Sequence, residues 1–232
     1  MKRRGAGVWV VVAFLLTLQC AAAEDNLPVY REIRHRLVFD APPFKVFNAR
    51  IAPGDRSGFH AHRDPTLYVV ISPAFMRTRE AGGEWTGPQA ELAKVGAIEF
   101  RDYGQIPQNH QVENVGETEF NMLGIINEST GDTGKDPAAE FDNAWFSARR
   151  HRLDSSAVVP EHTHKYPVVI VQVSEGRSDV VEHGWPVAPK TVLGNWSWHA
   201  AGVAHTLRNT GATEVEIVEI ELKGQSMSGA NK

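Results

Sequence analysis

Short runs of β-branched and aromatic residues, four to eight long, recur along the whole chain, and Gly, Pro and Asn separate them. That rhythm predicts an all-β fold with many turns. LYVVIS (67–72) and PVVIVQVS (167–174) are almost unbroken apolar runs, short enough to be strands buried on both faces. Helix-friendly sequence is confined to short pieces such as PAAEFDNAW. In two places a His-x-His pair heads an apolar run, His60 and His62 in GFHAH and His162 and His164 in PEHTH. Side chains two apart on a strand leave from the same face.

The pattern is written twice. HQVENVGETEFNMLGI (110–125) aligns without a gap on HTLRNTGATEVEIVEI (205–220), an offset of 205 − 110 = 95, and GFHAH aligns on PEHTH with an offset of 162 − 60 = 102. Each copy carries His-x-His, an apolar run, a Gly/Trp/Pro segment (GGEWTGP, HGWPVAP), a Gly and a His-x-x-x-Asn segment. The seven-residue difference in offset falls in loops. These limits predict two units, 27–128 and 138–224, a polar linker over 129–137 and a frayed tail over 225–232.

At the N-terminus, Lys2, Arg3 and Arg4 precede VWVVVAFLLTL and AAAED, the layout of a secretory signal cleaved after Ala23. Gln19 stands where a lipoprotein signal before Cys20 wants a small residue, so plain cleavage is preferred. Cleavage predicts a periplasmic or secreted protein with no membrane attachment. It leaves 232 − 23 = 209 residues and removes the single cysteine, so a transition-metal site must use His, Asp or Glu. The remaining charge is 21 − 28 = −7 with His neutral, and the absence of a basic cluster argues against a nucleic-acid partner.

With these segments in view, each copy resembles a cupin and the pair a bicupin. That family has a first motif of Gly, His-x-His, a Glu four or five residues on and a later Gly. Its second motif is Gly-x5-Pro-x-Gly-x2-His-x3-Asn. Gly194, Gly202, His205 and Asn209 keep the second motif's spacing with Ala200 in place of Pro, while in the first copy Gly96 is three residues farther from His110. Neither copy has the motif glutamate, its places being held by Thr66 or Leu67 and by Val168 or Val169. The resemblance implies two tandem antiparallel cupin barrels (double-stranded β-helix, or jelly-roll). It also implies two metal sites, His60, His62 and His110 in one and His162, His164 and His205 in the other.

Three neutral imidazoles leave coordination positions open, as working rather than structural metal sites do. The donor set fits a divalent ion among iron, zinc, copper, nickel and manganese, and without a carboxylate the ion would keep its full charge and favour an anionic ligand. The expected partner is a small organic molecule, and self-association is left open. The leading expectation is a three-histidine oxygenase-type enzyme, against a non-catalytic ligand or metal binder and a structural bicupin. Tyr166, Trp198 and Arg101 are the candidate substrate contacts. Asn114 and Asn209 read as turn residues, and His35, His151, His183 and His199 as surface.

Overall fold

The computed structural model describes residues 27–224; the expected signal segment with Cys20, and the tail, lie outside them. The first copy folds into β1 (His35–Ala41), β2 (Phe44–Ile51), β3 (His60–His62), β4 (Thr66–Ser72), β5 (Met76–Glu80), β6 (Ile98–Arg101), β7 (Gln108–Asn114) and β8 (Phe120–Asn127). The second gives β9 (Phe141–Asp142), β10 (Phe146–Leu153), β11 (Val158–His162), β12 (Val168–Gln172), β13 (Ser178–Glu182), β14 (Trp185–Pro186), β15 (Trp196–His199), β16 (His205–Asn209) and β17 (Val215–Leu222). One 3-10 turn, Val29–Arg31, precedes β1.

Each copy is a pair of antiparallel sheets closed around its own core. Barrel 1 has a five-stranded sheet, β1-β2-β8-β4-β6, facing β3-β7-β5; barrel 2 has β15-β12-β17-β10-β9 facing β11-β16-β13-β14. The two five-stranded sheets also pack against each other. Their outward residues, among them Leu67, Val69 and Ile71 from β4 and Val169, Val171, Val218 and Ile220 from β12 and β17, build one core between the barrels. The intervening residues turn inward: Tyr68 into barrel 1, Val168 and Ile170 into barrel 2. Burial on both faces is why these strands show no polar alternation.

The repeated asparagines perform one local task in each copy. The Asn114 amide donates to Ile51 O and Thr118 O (both 2.8 Å) and its Oδ1 accepts from Gly116 N, closing the turn between β7 and β8. Asn209 repeats this with Leu153 O, Thr213 O and Gly211 N. Both therefore serve the turn, as their x-Gly context predicts.

The barrel contact is itself reciprocal. A Cβ on Gly194 would lie 2.8 Å from Ile71 of barrel 1, and one on Gly96 would lie 3.1 Å from Val173 of barrel 2. Ile71 and Val173 match under the offset of 102, so each motif glycine lets its loop lie against the other barrel. Between the barrels, Asn127 Nδ2 donates to Trp145 O and Lys223 O, tying the end of β8 to the start and finish of barrel 2.

Candidate metal centres

In barrel 1, β3 presents His60 and His62, and β7 places His110 directly opposite His60. His60 and His62 are buried and His110 half-buried. Hydrogen-bond logic fixes the tautomers. His60 Nδ1 faces the Gly58 carbonyl at 3.0 Å, which can only accept. Tyr68 OH donates to Tyr103 OH, so at 3.2 Å it accepts from His62 Nδ1. Thr78 Oγ1 donates to Gln111 O and accepts from His110 Nδ1 at 3.3 Å. With all three Nδ1 atoms as donors, all three Nε2 atoms are bare lone pairs.

Those lone pairs meet. His110 Nε2 is 3.1 Å from both His60 Nε2 and His62 Nε2. Three acceptors converging with no proton between them are satisfied by a cation, and the outward hydrogen bonds are the supports that orient metal-binding imidazoles. Burial, reinforced by neighbouring rings, pushes His60 and His62 far below the usual imidazole range and His110 down to about 4, so the rings are neutral without a metal displacing protons.

Two of the three, His62 and His110, line a cavity of about 320 Å³, together with Tyr68, Tyr103, Thr78 and Arg101. Arg101, an expected substrate contact, is thus on the same cavity as His62 and His110, beside Glu99 at 3.5 Å. His35 also lines it. Expected at the surface, His35 is buried instead, its ring 4.3 Å from that of His60, with Nδ1 2.6 Å from Glu32 Oε2. Glu32 also accepts from Gly58 N and Arg34 N; burial opposes its ionisation, but His35 and those amides hold it below the usual carboxylate range.

Barrel 2 repeats the triad and adds a carboxylate. His162 closes β11 opposite His205, and His164 lies just beyond the strand end, where Lys165 to Pro167 bend the chain. All three turn Nε2 toward Glu219 of β17, at 2.8 Å for His205, 3.1 Å for His162 and 3.4 Å for His164. Supports recur at Pro160 O for His162 Nδ1 (2.8 Å) and Glu221 for His164 Nδ1 (2.6 Å). His151, also expected at the surface, is bonded to Glu219 through Nε2 at 2.7 Å.

Burial disfavours a charged Glu219, yet hydrogen bonds from His151, His162, His164 and His205 outweigh it and hold the carboxyl far below its usual range. The rings move the other way: the Glu219 bond raises His162, and His164, despite burial, is raised to about 9 by Glu219 and Glu221. Barrel 1 therefore holds a neutral nitrogen set and barrel 2 a carboxylate clasped by imidazolium. An ion would keep its double charge in the first and lose half in the second.

The missing acid of the first motif is therefore supplied from elsewhere, by a residue the motif comparison overlooks. Its signal lies in VEIVEIEL, where alternation puts Glu219 on the same face as Val215 and Ile217, inside the barrel. The matching position in barrel 1 is Gly124, and a Cβ there would lie 2.2 Å from Phe47 Cζ. Phe47 fills the space that the carboxylate takes in barrel 2.

The other expected contacts sit away from both clusters. Tyr166 OH donates to Asp132 of the linker. Trp198 packs on Phe39 (4.6 Å) and Phe44 (6.0 Å) of barrel 1, within the core between the sheets. His199 is buried, not at the surface, bonded to Glu182 and to Ser197 Oγ. His183 is exposed, as expected, in the turn with Gly184.

No protein-family model and no curated protein matches the chain. Solved structures do. AerE from Microcystis aeruginosa superposes with a TM-score of 0.56 at 11% identity, over 79% of this chain and 90% of that one. A cupin 2 conserved barrel domain protein from Leptotrichia buccalis gives 0.52 at 8% identity, over 87% and 100%. A single-residue variant of oxalate decarboxylase from Bacillus subtilis gives 0.51 at 12% identity, over 78% and 69%. At such identities the likeness speaks for the fold. With its two barrels, each placing His-x-His opposite a later histidine across paired strands, this chain has the all-β cupin fold.

Proposed function

We propose that the protein is an exported, metal-binding bicupin whose first barrel acts on a small organic acid, as an oxygenase-type enzyme. One observation carries this reading: three bare Nε2 atoms converge beside a cavity large enough for a compact molecule, which His62 and His110 line together with Arg101. A divalent transition ion bound there would supply a Lewis-acidic, redox-capable centre with positions left open.

The chain's own residues define what reaches that centre. Arg101 is the cationic group for a carboxylate, the Tyr68 and Tyr103 hydroxyls hold His62 in place, and the apolar wall of Phe47, Val70 and Met122 excludes water around the rest of the ligand. The second barrel, with an acid added to its three rings, suits the tighter and less reactive site. Manganese stays among the candidate ions beside iron, zinc, copper and nickel, since Mn(II) centres are described for Bacillus subtilis oxalate decarboxylase. A pure binder is the second reading, because barrel 1 shows no acid among its three convergent donors.

Elemental analysis of the purified protein tests the metal. The wild type should carry up to two transition ions, His60→Ala plus His62→Ala should lose one, and His162→Ala plus His164→Ala the other. A wild type that carries none and takes none up refutes the proposal. Oxygen uptake with catechols, diketones and small acids then separates the readings: an enzyme consumes oxygen and loses this with the barrel 1 pair, whereas a binder consumes none. Recovery of a chain starting at Glu24 outside the cytoplasm checks export.

A further inference from the structure

Outside the histidine clusters, a groove of about 660 Å³ lies where β1, β2 and β8 of barrel 1 meet the 192–196 loop of barrel 2. It is lined by three arginines, Arg34, Arg36 and Arg50, and by the apolar side chains of Ile33, Val38, Val192, Leu193 and Trp196. Ile33, Val38 and Val192 are 85%, 38% and 51% exposed, an unusual grouping of large apolar side chains in contact with water. In a chain of net charge −4, three guanidinium groups in one groove also stand out.

Two of the three are answered internally, Arg34 by Asp55 at 2.6 Å and Arg50 by Glu119 at 3.3 Å. The Arg36 side chain has no hydrogen bond, ion pair or ring contact among the described residues, leaving one positive charge uncompensated. The repeat shows what a closed version looks like. At the matching place on the other side of the barrel contact, Arg150 is held by Glu140 and Glu216 and donates to Gly96 O. Under the offsets of 102 and 95, those three positions correspond to Asn48, Val38 and Asn121. Both acids are thus absent where the groove is open, and an apolar residue replaces one of them.

We propose that this groove binds an amphipathic monocarboxylate, its carboxylate on Arg36 and its apolar body along Val38, Val192, Leu193 and Trp196. A guanidinium receives a carboxylate in two parallel hydrogen bonds, which a single free arginine matches to a single negative charge. The apolar side chains select against inorganic anions.

Octanoate is the probe, titrated by calorimetry and by Trp196 fluorescence, with sulfate and octanol as controls for charge alone and apolar body alone. Octanoate should bind the wild type more tightly than either control. Arg36→Gln should weaken binding by at least about tenfold, Leu193→Asp should do the same, and Arg208→Gln, an exposed position on β16 of barrel 2 that lines neither cavity, should leave it unchanged. Trp196→Phe should abolish the fluorescence response while calorimetry still reports binding. The proposal is overturned if octanoate does not bind, if sulfate or octanol binds as well, or if Arg36→Gln binds octanoate as the wild type does.

Discussion

Glu219 and Lys190 show what single buried charges do here. Glu219 turns an imidazole set into a mixed one, and in the metal-free protein it is one of two acceptors, with Glu221, that keep His164 charged. His164 in the folded state titrates at about 9, above its ordinary 6.5, so its contribution is full below pH 6.5 and lost as pH rises through about 9. Glu219→Gln should therefore cost the metal-free protein more stability at pH 6 than at pH 9.5, as read from urea unfolding. A cost independent of pH would show that the pairing is not electrostatic. Lys190 runs the opposite way. It is 1% exposed, donates to Ser197 Oγ (2.8 Å) and Ala188 O, and burial lowers it to about 8 from 10.5. The unfolded chain binds the extra proton between those values, so stability relative to Lys190→Met should rise from pH 8 to pH 10, by up to about 3 kcal/mol. A flat difference between the two proteins over that range would refute it.

At the scale of strands, the same register yields two different interiors. β8 and β17 match position for position, yet one presents Gly124 under Phe47 and the other presents Glu219. Gly124→Ala should destabilise barrel 1 by about 1–3 kcal/mol or more, since the new methyl group overlaps a fully buried ring. Gly124→Ala combined with Phe47→Leu should recover part of that loss. If the single variant unfolds with the wild-type denaturation midpoint, the ring does not fill that space. The strands themselves were legible in the sequence: β4 and β12 as unbroken apolar runs, the turns through Asn114 and Asn209, the histidine pairs through their spacing. Glu219 was harder to read, because the acid was sought near His-x-His whereas it comes from a strand 55 residues later in the chain than His164. His35 and His151 looked like surface residues for a related reason, since their partners Glu32 and Glu219 define their burial.

Across the whole molecule, the barrels share a core and should not unfold separately. Phe146 is fully buried in that core. Phe146→Ala should cost about 3–5 kcal/mol and lower the protection of β4 and β12 together in hydrogen exchange read by mass spectrometry. Loss confined to β12 would show that the barrels are independent. The sequence by itself determined the all-β class, the duplication, the two histidine triads and the cupin resemblance, because these follow from period-two alternation and from residue types at fixed spacings within short segments. Only the tertiary structure decided that one triad gathers bare nitrogen beside a cavity while the other clasps a carboxylate, that Trp198 belongs to the contact between barrels, and that Arg36 lies in an open groove there while Arg150 is enclosed by its acids. Each depends on side chains brought together from distant strands, and no local spacing records which of them share an interior.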